Sequence, residues 1–264
     1  MQTQSVEQDD IEYRLQEYPA TTRRIARHGF LELEDSWGDE ATIINTARIS
    51  TTDKRVYDPA SFTDKDRALL KQLLKDKHGT PFETIYFRYR IVAPIFVMRQ
   101  WVKHRISSWN EFSMRYRAPM DTFYTPDSDA IKVNGFDLLN DSDIQSYNEL
   151  MQTVLEWQKA NYAKVCANID IAREHGIIPP KSGGRDPYRG RARELLRNVI
   201  PVAAYSDVYW TVNFRSLMNF FELRRKPNAQ YEMREYAEAA FDLFSLAYPL
   251  LSAIMTELEA ERGA

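Results

Sequence analysis

Hydrophobic and polar positions alternate most cleanly over residues 84–92, where Ile85, Phe87, Tyr89 and Ile91 share one side and Tyr86, Arg88 and Arg90 the other. Period-two alternation predicts a strand with one buried face and one wet or ligand-facing face. Phe30-Leu31-Glu32-Leu33 predicts a shorter strand and Trp37-Gly38-Asp39 a turn. Residues 208–213, rich in β-branched and aromatic side chains, predict another strand. Spacings of three and four mark the helices. Asp39 can cap one that turns Ile43, Ile44 and Ala47 inward and ends near Ser50. Thr63-x-x-Asp66 opens another carrying Leu69, Leu70, Leu73 and Leu74, with Gly79 suited to its C-terminal cap. Pro94 fits the first helical position of residues 94–105, from which residues 105–116 run on as a polar loop.

Residues 118–140 read as loop-rich. The longest helical pattern, residues 141–175, carries Ile144, Tyr147, Met151, Leu155, Tyr162, Val165 and Ile169 as an inward stripe. A Pro- and Gly-rich link, expected to be mobile, covers residues 177–190, and a helix restarts over residues 191–198. Helix also covers residues 214–224 and 228–262, broken at Pro249.

A chain of 264 residues suffices for one domain. Residues 1–28, polar and weakly periodic apart from a short helical candidate in residues 7–17, read as an extension. Residues 29–264 read as the single domain. Net charge of −3 argues against whole-protein attraction to nucleic acid or an anionic membrane. No apolar run approaches the roughly 20 residues of a membrane span, and the first ten residues are acidic, so a soluble cytoplasmic protein is expected. The lone Cys166 permits no disulfide within the chain and no thiolate cluster, and reads as a buried small apolar residue. The four histidines show no ligand spacing, so no metal is expected.

Against this acidic total, residues 99–117 carry Arg99, Lys103, Arg105, Arg115 and Arg117 with one acid, Glu111. Ser107, Ser108, Asn110 and Ser113 lie between the cations, and Trp101, Trp109, Phe112 and Tyr116 interrupt them. Guanidinium forks beside hydroxyl and amide donors suit a phosphate together with a planar polar ring. Single-stranded nucleic acid could stack on the same aromatics, but such binding calls for a basic domain.

The order Lys103-His104-Arg105-x-x-Ser108-x-Asn110-Glu111-x-Ser113-x-Arg115-Tyr116 resembles the signature of the flavin-dependent thymidylate synthases, with Lys103 in place of a leading Arg. His78-Gly79-Thr80-Pro81-Phe82-Glu83 resembles that family's flavin-contacting turn. The resemblance covers roughly residues 30–245 and implies an α+β fold, a central largely antiparallel sheet flanked by helices. It also implies a homotetramer with sites shared between subunits. The implied reaction methylates dUMP to dTMP, with methylenetetrahydrofolate giving the carbon, FAD carrying hydride and NADPH reducing the flavin.

By the same resemblance Ser50, His78, Thr80, Lys103, His104, Arg105, Ile106, Glu111, Asn213, Arg215 and Asn219 face the flavin. Gln100, Trp101, Lys103, Glu111, Phe112, Ser113, Met114, Arg115 and Arg197 face the nucleotide. Arg224 is the catalytic residue, facing the pyrimidine, where a permanent cation stabilises charge developing on the ring. Lys103, Met114 and Asn228, the last standing where relatives often have a histidine, depart from the pattern. They keep a different pyrimidine nucleotide open as the substrate.

Overall fold

The computed structural model describes residues 21–116, 120–133 and 135–263. The helical candidate in residues 7–17 and the cation Arg117 lie outside them. In chain order the elements begin with β1 (Thr22–Ile25), β2 (Gly29–Trp37), α1 (Glu40–Arg48), α2 (Asp64–Lys75), β3 (Tyr86–Pro94), α3 (Ile95–Trp101) and β4 (Ser107–Glu111). They continue with β5 (Lys132–Val133), β6 (Phe136–Asp137), α4 (Asp141–Glu174), α5 (Pro187–Leu196), β7 (Tyr205–Asn213), α6 (Phe214–Arg224), α7 (Tyr231–Ala247) and α8 (Pro249–Gly263). Five strands form one antiparallel sheet in the order β1-β2-β3-β7-β4, and β5 and β6 pair separately. The expected α+β class is the one observed. Thr22–Ile25, within the stretch read as an extension, pairs with β2, so the sheet starts earlier than residue 29.

The β3 alternation sets the layers. Phe87, Tyr89 and Ile91 are fully buried, and α6 and α7 cover that side with Phe214, Phe220, Phe221 and Phe244. Tyr89 stacks on Trp210 of β7 at 5.8 Å, and Phe214 on Phe244 at 5.1 Å. Across the sheet Arg88 pairs with Glu34 and Arg90 with Asp207, leaving a polar face. A smaller cluster of Phe30, Val92, Tyr124, Ala203 and Tyr205 closes one end of that face beneath Tyr147 and Met151 of α4.

Capping boxes start α1 at Asp39, α2 at Thr63 and α4 at Asn140. The end of α2 differs from the expectation. Lys77, not Gly79, takes the left-handed conformation at φ 55°. The His78 amide donates to the Leu73 carbonyl at 3.0 Å and the Lys77 amide to that of Leu74 at 3.3 Å, a Schellman closure. Pro94 ends β3 and caps α3 rather than opening it.

Two further readings change. Residues 107–111 are not loop but the edge strand β4, hydrogen-bonded to β7 from Ser107–Val212 to Glu111–Val208. Residues 187–190 are already α5, capped by Asp186, whose carboxylate accepts from the Tyr188 and Arg189 amides. Of the α4 stripe only Leu155 is buried; the other members are half covered. At 34 residues α4 runs about 50 Å, past the sheet that could cover it. Cys166, on this helix, is likewise half-buried rather than buried.

Candidate active site

Three groups of the expected residues gather in this chain. The first forms where α3 hands over to β4. Trp101 packs into the core, stacked on Phe220 at 4.9 Å and edge-on to Trp109, Trp210 and Tyr236. Its ring is fully buried in this chain and anchors the turn. The turn presents His104, whose carbonyl accepts from the Ser107 hydroxyl at 2.9 Å and whose ring meets Phe220 edge-on at 5.1 Å.

Arg224, in the last turn of α6, donates its Nε–H to His104 Nε2 at 3.0 Å. Burial first, and the Arg224 charge second, lower the His104 pKa to about 4. The imidazole is therefore neutral near physiological pH, with its proton on Nδ1 and its Nε2 lone pair committed to the guanidinium. That contact uses one edge of Arg224 and leaves its terminal nitrogens available to a ligand. Lys103, Arg105 and Ile106 around this pair are exposed. Gln100 donates to Gln230, which continues to Glu232.

The second group lies at the far end of β4. Glu111 accepts from the buried Ser206 hydroxyl, and the Phe112 amide donates to the Asp207 carbonyl at 2.9 Å. Residues 113–116 then turn back. The Ser113 hydroxyl accepts from the Arg115 amide at 3.3 Å, the Ser113 carbonyl accepts from the Tyr116 amide at 2.9 Å, and Met114 is half-buried in the turn. Arg115 Nε meets Glu194 at 2.6 Å on α5, one turn before Arg197. Residues three apart share a helix face, so Arg115 and Arg197 approach one corner.

The third group borders a cleft of about 640 Å³ between α2, α6 and α8, lined by Gly79, Phe82, Arg215, Met218 and Asn219 among others. Arg215 pairs with Glu83, and a Cβ built on Gly79 would lie 2.6 Å from Arg215 Nε, so any side chain there must push the guanidinium aside. Asn213 caps α6, accepting from the Ser216 amide at 2.9 Å. That bond occupies its carbonyl oxygen and leaves its amide N–H groups for a ligand. His78 and Thr80 are exposed on the turn next to Gly79, and Ser50 is exposed past the end of α1, outside the residues lining the cleft.

The arginines expected to converge do not all meet in one chain. Arg224 stands beside the start of β4, and Arg115 and Arg197 beyond its end, a strand of roughly 16 Å away. Sequence reasoning missed Glu194, Ser206 and Arg225, which is clamped by Glu238 and Glu259 over the Phe241 ring. Glu194 could have been found, as an acid three residues before an assigned arginine. The other two carry no sequence signal.

An antiparallel sheet whose edge strand β4 has arginines before and after it, with a neutral histidine at its start and a roomy cleft along α6, defines an anion- and ring-binding enzyme site. A model of the family described as "Thymidylate synthase complementing protein" matches residues 32–250. Curated proteins named flavin-dependent thymidylate synthase from Pseudothermotoga lettingae and Thermosipho africanus are each 36% identical. Both alignments cover 86% of this chain and 90% of the relative. A counterpart from Rickettsia prowazekii is 33% identical over 86% of this chain and 76% of its own length. A solved structure described as a UMP/dUMP methylase PolB from Streptomyces cacaoi, bound with 5-Br dUMP, superposes with a TM-score of 0.68. It is 26% identical, over 89% of this chain and 97% of that one. The chain belongs to the thymidylate synthase complementing protein family, and is a methyltransferase of the flavin-dependent thymidylate synthase kind.

Proposed function

We propose that this enzyme methylates dUMP to dTMP, with methylenetetrahydrofolate as carbon donor, FAD as the bound hydride carrier and NADPH as reductant. The observation that carries this reading is the Arg224–His104 pair. It holds a permanent cation against a neutral ring through Nε alone. The one cysteine, Cys166, is half-buried on α4.

The cleft and its rim fit a flavin: room of about 640 Å³, the Arg215 cation, the Asn219 amide and a glycine at the closest approach. His78, Thr80, Asn213, Arg215 and Asn219 would hold it from the cleft side, and Lys103, His104, Arg105, Ile106 and Glu111 from the turn before β4 and the strand's end. Bound there, FAD supplies hydride transfer. The protein's own residues do the rest. Gln100, Lys103, Ser113, Arg115 and Arg197 neutralise the monoester phosphate, which carries about one and a half to two charges. Arg224 stabilises negative charge on the pyrimidine as N3 gives its proton to solvent, so that carbon 5 becomes nucleophilic while the guanidinium keeps its own protons.

Because Arg224 and the Arg115–Arg197 corner stand apart in one chain, we read the site as completed by a second copy within a homotetramer. Leu150, Trp157 and Ile171 on α4 and Val199 and Val202 beyond α5 are exposed and apolar, as an interface between copies requires. No described helix is long and apolar enough to cross a membrane. A cytoplasmic protein without a nucleic-acid partner is part of this reading. A different pyrimidine nucleotide is the second reading. It is favoured by the structural relative, which is described as acting on both UMP and dUMP.

The test is product formation by Cys166→Ala protein given dUMP, methylenetetrahydrofolate and NADPH. Formation of dTMP is expected; a yellow protein that methylates UMP alone moves the assignment to the second reading.

A further inference from the structure

Residues 177–186, the link ahead of α5, bring a second guanidinium to the Arg115 corner. Arg185 Cζ lies 3.3 Å from the centroid of the Tyr116 ring, and Arg115 Cζ lies 5.6 Å from the same centroid. Two permanent cations on one exposed ring repel each other unless an anion sits with them. The carboxylate at hand, Glu194, is shared between Arg115 at 2.6 Å and Arg191 at 3.0 Å. Among the described residues Arg185 has no carboxylate within ion-pair reach. With Arg197 on the same helix face as Glu194, the corner holds an excess of positive charge.

Arg185 is also held in place. Gly184, at φ 80°, turns the chain just before it. Asp186, just after it, is buried, caps α5 and meets Arg173 of α4 at 2.5 Å. A residue fixed directly beside a buried cap is placed by the fold rather than by chance contact.

We propose that Arg185 is a further binding residue for the nucleotide's 5′-phosphate, acting beside Arg115 and Arg197. The assignment rests on the reading of the substrate as dUMP and extends it.

The experiment compares full-length flavin-loaded enzyme with its Arg185→Ala and Arg185→Lys variants, and with Lys181→Ala as a control on the same link. Binding of dUMP and of phosphate-free deoxyuridine is measured by calorimetry alongside turnover. Arg185→Ala is expected to weaken dUMP binding and raise its KM about tenfold, with kcat and deoxyuridine binding within about twofold and the melting temperature unchanged. Arg185→Lys is expected to recover part of the loss, and Lys181→Ala to lose nothing. Unchanged dUMP affinity in Arg185→Ala, or equal losses for dUMP and deoxyuridine, overturns the proposal. If wild type ignores dUMP but binds UMP in an Arg185-dependent way, the dUMP reading fails and the Arg185 assignment stands. Wild type that binds no pyrimidine monophosphate overturns both.

Discussion

Replacing His104 with alanine tests the central electrostatic contact twice, through its strength and through its pH dependence. The variant removes the acceptor that Arg224 Nε reaches at 3.0 Å and the ring that packs edge-on against Phe220. A hydrogen bond to a charged group is worth about 1.5 to 3 kcal/mol, so near pH 7 a destabilisation of about 2 kcal/mol is expected. The pH dependence follows from the lowered pKa. Burial and then the Arg224 charge bring His104 from 6.5 down to about 4, so the fold favours the neutral ring. The unfolded chain takes up the proton near its ordinary value, while the folded chain resists until near the lowered one. Stability from this group is therefore complete above the unfolded pKa and is lost as pH falls toward the folded one. Integrated down to about pH 5 the loss is roughly 2 kcal/mol, or about 1 to 2 once solvent screening of the partly exposed ring is allowed for.

Alanine has no proton to take up. The gap in unfolding free energy between wild type and His104→Ala should thus narrow by about 1 to 2 kcal/mol between about pH 7 and about pH 5. Urea unfolding followed by circular dichroism at the two pH values measures it. An equal gap at both would refute the argument that this ring is held neutral. At the higher pH, kcat should fall about tenfold as Arg224 loses its orientation, with His104→Gln recovering part through its amide oxygen.

Three more outcomes follow from particular contacts. Arg224→Ala is expected to keep its flavin absorbance and lose product formation, read by single-turnover analysis of nucleotide products. Lys77→Gly should raise the urea midpoint by the equivalent of about 0.5 to 1 kcal/mol, since it relieves a side chain held at φ 55°. Gly79→Ala should push the Arg215 guanidinium off Glu83 and out of the cleft, because the new Cβ would sit 2.6 Å from Arg215 Nε. Flavin occupancy should drop while the melting temperature shifts by only a few degrees, as expected for displacing the mobile end of a long side chain.

Period-two alternation revealed β3 because both of its faces are defined within this chain, one by Phe87, Tyr89 and Ile91 and the other by Arg88 and Arg90. The edge strand β4 was hidden. Ser107, Ser108, Asn110 and Glu111 carry low strand preference, and they pair because β7 offers an open ladder, which is a tertiary cause. Gly79 was legible as special but for the wrong reason. Its missing side chain makes room for Arg215, while the strained Lys77 ends α2. The α4 stripe was legible as amphipathic, but periodicity cannot say which molecule covers it. The candidate site followed the same division. The signature identified the charged residues, while the burial of Trp101, the tie between His104 and Arg224 and the placement of Arg185 over Tyr116 arise from packing between distant segments.

Subunit mixing asks most directly whether one pyrimidine site is built from arginines at opposite ends of β4, supplied by different copies. Arg115→Ala and Arg224→Ala proteins, each expected to be inactive, are unfolded together, refolded with flavin and assayed for dTMP. Roughly one site in four should then regain both arginines and with them wild-type turnover. No recovery, from a mixture shown by mass to contain hybrid oligomers, would mean that these arginines do not serve one site across copies.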